Sequence, residues 1–172
     1  MPNTPLSDTT GHATESWAEV RARDQVMRYR RSGVGRAVLL VLRPPHDSAP
    51  LGPGVVEALG EQFRVIAPEA PAAEADAACW LGDFLEGLGM SNVSILAMGC
   101  FCIPALELAL LESDQIARIV LVPDGAGRAL RAAGCGLLQT ETRHLPVPLL
   151  VVRRGQSADE MLPLVTGFLR AP

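Results

Sequence analysis

The sequence predicts a three-layer α/β domain, with a mostly parallel, twisted sheet and an antiparallel hairpin at its N-terminal end. Short apolar runs such as 37–42 have no polar face, which is typical of strands covered on both sides. Between these runs lie segments with apolar residues every three or four positions, such as 74–88, which is typical of amphipathic helices. Strands that alternate with helices favour a parallel sheet with helices on both faces.

The opening segment has a different pattern. Apolar and polar residues alternate from Trp17 to Arg23, and a second segment of this kind runs from 26 to 31. Such alternation is the period of a strand with one covered face, so the two segments are predicted to form a hairpin. Gly33-Val34-Gly35 ends it.

The later elements follow one another with short breaks. Gly89 is expected to end the second helix, and Pro104 fits in the first turn of the third. The predicted strands after the hairpin are 37–42, 63–67, 92–97, 116–122 and 147–152. The predicted helices are 55–62, 74–88, 104–111, 126–138 and 157–169.

Length and composition indicate one domain. The 172 residues suit a domain of roughly 150 residues with a tail. Residues 1–15 are polar and aperiodic and are predicted to be a disordered tail, so the domain is expected to span 16–172. No apolar run is long enough to cross a membrane, and the start lacks the apolar core of a signal peptide, so a cytoplasmic location is expected.

Charge and residue usage argue against several classes of function. The net charge is −4 and aromatic residues make up 4%, which favours neither a nucleic-acid partner nor a base-stacking surface. All 15 basic residues are arginine, which indicates a GC-rich, bacterial coding bias. The three histidines are far apart and the cysteines form no C-x-x-C pair, so no metal or cofactor is expected. The four thiols, at 79, 100, 102 and 135, are predicted to be buried.

An ordered series of segments resembles the α/β-hydrolase family. Phe63-Arg-Val-Ile-Ala-Pro-Glu-Ala-Pro is similar to the strand and turn that end in Pro-Asp in that family. Residues 92–96 and 105–110 resemble its nucleophile strand and the helix that follows. The other matching segments are 27–33, 35–42, 80–89, 117–122 and 147–152. The resemblance covers about 17–170 and implies an α/β-hydrolase-like fold truncated at its last strand and without the family's helical cap.

The resemblance also implies where the catalytic groups should lie, and the sequence departs from it there. The family places its nucleophile on a tight strand-to-helix turn in the pattern G-x-S-x-G. The matching turn is 97–101, and Gly99 stands at the nucleophile position. Where the family has an oxyanion loop with His-Gly, this chain has Arg43-Pro44-Pro45. No histidine follows His144, so the family's base has no counterpart.

The sequence is compatible with three functions. The first is a non-catalytic, α/β-hydrolase-like binding or scaffolding subunit. The second is a small ester, thioester or lactone hydrolase with Cys100 as nucleophile, His46 as base and Asp124 or Asp159 as orienting acid. The third is a carrier of a small apolar ligand in the crevice at the strand ends. The residues expected to line that crevice are Arg43, Met98, Cys100, Phe101 and Asp124.

The predicted last strand, 147–152, points to a partner. Without an eighth strand it becomes an apolar sheet edge, which favours aggregation unless something covers it. The sequence therefore predicts a homo-oligomer, or a different protein, paired with this edge. No membrane partner is expected.

Overall fold

The computed structural model describes residues 16–44, 54–69, 76–123, 145–152 and 157–171. The expected tail at 1–15 and the expected helix at 126–138 lie outside these residues. The strands are β1 (Ser16–Ala22), β2 (Gln25–Ser32), β3 (Val38–Leu42), β4 (Arg64–Pro68), β5 (Val93–Met98), β6 (Ile116–Val122) and β7 (Leu149–Val151). The α-helices are α1 (Val55–Gly60), α2 (Ala77–Leu88), α3 (Cys102–Leu111) and α4 (Ala158–Arg170), and a 3-10 helix (Gly99–Phe101) joins β5 to α3.

These strands form one sheet in the order β1-β2-β4-β3-β5-β6-β7. The pairs β1–β2 and β2–β4 are antiparallel. The four remaining pairs are parallel. The hairpin therefore continues a parallel sheet at one side, as the sequence predicts, and β7 lies at the opposite edge.

Helices cover both faces of the sheet through two hydrophobic clusters. On one face α2 and α3 pack in a cluster that includes Phe84, and on the other α1 and α4 pack in a cluster that includes Leu59. Successive strand residues belong to opposite clusters: Ile95 lies in the first and Leu96 in the second, and both are fully buried. Burying one such side chain contributes roughly 1.5–3 kcal/mol, so the two clusters hold the three layers together.

The connection from β2 to β3 requires glycine. Gly33 has a φ of +83°, and a Cβ there would clash with the carbonyl oxygen of Phe63. A Cβ on Gly35 would clash with the carbonyl oxygen of Gln62. Between them, the Val34 N–H donates to the Gly60 carbonyl at 3.1 Å. The glycines that end the hairpin in sequence thus let the chain pass close against the turn between α1 and β4.

Several element ends differ from the sequence-based expectation, and two of these differences have a clear structural reason. β7 begins at Leu149, two residues later than predicted, because the preceding Pro148 has no N–H for the ladder. α3 begins at Cys102 after the 3-10 turn, earlier than the expected start at Pro104, which lies in its first turn. Among the helices of the described ranges, none is long and apolar enough to cross a membrane.

Candidate functional site at the carboxyl ends of the strands

The parallel strands β3, β5 and β6 end side by side. Leu42 pairs with Ala97, and Met98 pairs with Val122. The residues that follow these strands therefore meet at one edge of the sheet, where open α/β sheets bind their ligands. The residues that the sequence analysis expected to line a ligand crevice were predicted to lie at this edge.

The chain turns from β5 into helix over one residue. Met98 is still extended, with φ −121° and ψ 143°, whereas Gly99 has a φ of +57° and begins the 3-10 helix. A positive φ is readily adopted by glycine and costs other L-residues strain. The resemblance assigns the nucleophile to this position. Gly99 is buried and has no side chain, so it offers no nucleophilic atom.

Two thiols follow this bend in different surroundings. Cys100 is exposed, so the prediction that it is buried is wrong. The 3-10 turn directs its side chain to solvent, although the residues on both sides of it are buried. Cys102 is buried as predicted, and its thiol donates to the Ala97 carbonyl at 3.5 Å. Cys102 is thus part of the packing between β5 and α3, and Cys100 is the accessible thiol at the bend.

Met98 and Phe101, which the sequence placed in the crevice, are each 1% exposed. Met98 lies in the cluster under α1 and α4, and Phe101 lies in the cluster under α2 and α3. Packing accounts for both side chains. Because the two side chains offer almost no surface to a ligand in this conformation, their exposure does not support the predicted role in lining the crevice.

The end of β3 presents Arg43, which is exposed, followed by Pro44, which is half-buried. Proline has no N–H, so Pro44 cannot donate to a developing oxyanion. The other candidates, His46 and Asp124, lie outside the described residues, as does His144.

Asp159, a candidate orienting acid, lies exposed in the first turn of α4 and is not its N-cap. Ser157 caps α4: the Glu160 N–H donates to the Ser157 Oγ at 3.3 Å, and the Ser157 N–H donates to Glu160 Oε2 at 3.1 Å. These two hydrogen bonds form a capping box at the helix start, where the Glu160 N–H also donates to the Ser157 carbonyl at 3.2 Å. Asp159 adds negative charge near the positive end of the helix dipole. This stabilising position accounts for an acidic residue here without a catalytic role.

A shallow groove of about 560 Å³, which no sequence pattern indicated, lies beside the C-terminal half of α4. Leu162, Pro163, Thr166, Gly167 and Arg170 line it together with Gln62, which accepts a hydrogen bond from Arg170 Nη1 at 3.2 Å. Gln62 precedes β4, so the groove lies toward the amino ends of the strands, away from the bend.

Across the described ranges, no group of three or more His, Cys, Asp or Glu side chains could hold a metal ion.

The architecture matches solved structures along most of the chain. A predicted CIB-like hydrolase from Thermoplasma acidophilum superposes with a TM-score of 0.62 at 13% identity, over 92% of this chain and 99% of that chain. The CarC serine hydrolase, involved in carbazole degradation, superposes with a TM-score of 0.59 at 18% identity, over 91% of this chain and 85% of that one. The chain has the α/β-hydrolase fold.

Some structural neighbours of this α/β-hydrolase-fold protein are considerably longer. A bacterial membrane phospholipase A superposes with a TM-score of 0.53 at 16% identity over 63% of this chain, which spans 39% of that neighbour's length. No protein-family model matches the sequence, and a search of curated proteins finds no match. At these identities the likeness concerns the fold, and the activity is a matter of proposal.

Proposed function

We propose that this protein is a non-catalytic α/β-hydrolase-fold protein that acts by binding, as a subunit of an oligomer or complex. Gly99 is the observation that carries the proposal. It occupies the bend between β5 and the 3-10 helix with a φ of +57°, where the resemblance places the nucleophile, and it has no group that can attack a carbonyl.

The end of β3 supports the same proposal. Acyl transfer gains much of its rate from N–H donors aimed at the developing oxyanion, and losing one donor costs about 10²–10³ in kcat. In this chain Pro44 supplies no N–H, and Arg43 replaces the glycine that the resemblance implies. A site without a nucleophile and with a weakened oxyanion loop lacks two of the contributions that accelerate acyl transfer.

A binding role needs a surface, and the sheet edge provides one. β7 lies at the end of the strand order and pairs with β6. It consists of Leu-Leu-Val, and the Val151 side chain is 49% exposed. An apolar edge strand is a template for pairing with another chain, which supports a subunit that works through this edge.

One observation favours an alternative, a hydrolase with a rearranged site. Cys100 is an exposed thiol one residue beyond the bend, and a thiolate is a competent nucleophile. In this alternative Cys100 forms a thioester with the acyl group, the alcohol leaves with a proton from His46, and water then releases the acid. Asp124 or Asp159 would orient the base.

Turnover of short-chain p-nitrophenyl esters separates the two functions. The chain offers a matched control, because Cys79 is also an exposed thiol but lies on α2. We expect wild type, Cys100→Ala and Cys79→Ala to release p-nitrophenol at most once per exposed thiol, with no continuing turnover. Continuing turnover that Cys100→Ala abolishes and Cys79→Ala retains would overturn the proposal in favour of the hydrolase.

A further inference from the structure

The groove beside α4 is apolar along most of its length. Gln62, in the turn between α1 and β4, lies on one side of it, and the C-terminal half of α4 forms the other side with Leu162, Pro163 and Gly167. The groove volume of about 560 Å³ lies within the range of about 300–1,000 Å³ that is typical of small-molecule sites. The groove therefore has room for a small ligand with an apolar chain.

Gly167 keeps the middle of the α4 wall open. It lies inside the helix, where glycine is less favourable than alanine because it loses more conformational freedom on folding. An added Cβ at this position would have no neighbour within 4 Å outside the helix's own backbone. Packing therefore does not require glycine here, and a side chain at this position would take up space along the groove.

Hydrogen-bond donors gather at one end of the groove. Arg170 Nη1 donates to Gln62 Oε1 at 3.2 Å, which leaves the NH₂ group of the amide and the other guanidinium N–H groups as donors. No described carboxylate forms an ion pair with Arg170. The full charge of Arg170 exceeds the roughly half negative charge at the C-terminal end of a helix. This end of the groove therefore suits a carboxylate, which accepts hydrogen bonds from such donors.

Thr166 adds a polar group to the same wall. It lines the groove four residues before Arg170, so the two side chains are neighbours on α4. Its Oγ1 is buried and has no hydrogen-bond partner among the described residues. Threonine in a helix adopts two χ1 rotamers, and rotation between them moves the hydroxyl to another side of the Cβ atom. A ligand in the groove would supply the partner that the described side chains do not.

We propose that this groove binds a small amphipathic carboxylate. Its apolar chain lies along Leu162, Pro163 and Gly167, and its carboxylate accepts hydrogen bonds from the Arg170 guanidinium and the Gln62 amide. The groove lies toward the amino ends of the strands, so this site is separate from the bend after β5, and the inference goes beyond the function proposed above.

Titration of isotope-labelled protein with octanoate, followed by NMR, tests the site. The amide signals of α4 and of the turn at Gln62 should shift saturably, and those of the bend should not. Two matched compounds separate the two parts of the ligand: octanol has the chain without the charge, and acetate has the charge without the chain. Each should bind at least about tenfold more weakly than octanoate, because each lacks one of the two contributions.

Three substitutions test the assigned contacts. Arg170→Gln should weaken octanoate binding at least about tenfold, because it removes the charge. Arg21→Gln is the matched control, because Arg21 is an exposed arginine on β1, and this variant should bind octanoate as wild type does. Gly167→Leu should abolish binding by filling the groove, and thermal unfolding verifies that this variant is folded.

Thr166→Val separates a ligand contact from a structural role. It should weaken octanoate binding about threefold, because it removes one neutral hydrogen bond. It should not lower Tm, because a methyl group replaces a hydroxyl without a described partner. A lower Tm would show that the hydroxyl is already satisfied within the protein and would remove it from the site.

Three results would overturn the inference as a whole. If millimolar octanoate causes no saturable shift at the groove, the groove does not take such a ligand. If octanol binds as tightly as octanoate, the carboxylate is not recognised. If Arg21→Gln weakens binding as much as Arg170→Gln does, the positive charge acts without a defined site. None of these results alters the ester assay, so they leave the proposed non-catalytic role to its own test.

Discussion

The bend after β5 and the edge at β7 differ in how completely the fold surrounds them. At the bend, Gly99 is buried, and Met98 and Phe101 are each 1% exposed and packed into opposite clusters. At the edge, Val151 is 49% exposed on β7, which ends the strand order in the part of the chain that the structure describes. Residues at the bend are therefore constrained by the core and by the backbone angle, whereas Val151 at the edge is left half-exposed by the described part of the domain.

Truncating one apolar side chain in each region should give the largest difference in the free energy of unfolding. Phe101→Ala should lower the free energy of unfolding by roughly 3–5 kcal/mol, because it leaves a cavity in the core. Val151→Ala should change the stability of the monomer by less than about 0.5 kcal/mol, because its side chain is half in solvent. Urea denaturation at low protein concentration measures both. Similar losses for the two variants would mean that the regions do not differ in this way.

Adding a methyl group at two glycines should give effects of opposite sign. Gly99→Ala should destabilise the protein by about 1–2 kcal/mol, because alanine is strained at a φ of +57°. Gly167→Ala should stabilise it by roughly 0.5–1 kcal/mol, because Gly167 lies inside α4 with open space around its Cβ position. Thermal unfolding of both variants checks the signs. A neutral Gly99→Ala would show that the backbone does not require glycine at the bend.

The smallest effects are expected where α4 begins, just beyond β7. Asp159→Asn should cost roughly 0.3–1 kcal/mol through the helix dipole alone. Ser157→Ala should cost about 1 kcal/mol, because it removes half of the capping box. Chemical denaturation of the two variants measures which substitution lowers the free energy of unfolding more. A larger loss for Asp159→Asn than for Ser157→Ala would mean that Asp159 has a role beyond the dipole.

The sequence was sufficient for the layers of the fold because the patterns that define them are local. A buried strand such as β5 has no polar face, and the hairpin alternates, so both are recognisable residue by residue. The bend was also predictable in position, since Gly99 follows an apolar run and precedes a helical pattern. The order of the strands in the sheet depends on long-range pairing, which no local pattern encodes.

The exposure of Cys79 and Cys100 was predicted wrongly, for two different reasons. Cys79 lies on α2 but off the apolar stripe that includes Leu81 and Leu85, so the helical period already contained the signal. Cys100 lies between buried neighbours, and only the 3-10 turn, which the sequence did not reveal, directs it to solvent. The cap of α4 was a missed signal too, because Ser157 and Glu160 have the spacing of a capping box.

Acylation of the two exposed thiols within the same molecule tests the central claim most directly. The protein would be treated with an activated ester, and the rates at Cys100 and Cys79 would be compared by peptide mass mapping. A positioned base contributes about 10²–10⁴ in rate, so without one the two rates should differ by less than about tenfold. Acylation of Cys100 at least about a hundred times faster, followed by hydrolysis that restores the thiol, would contradict a non-catalytic site.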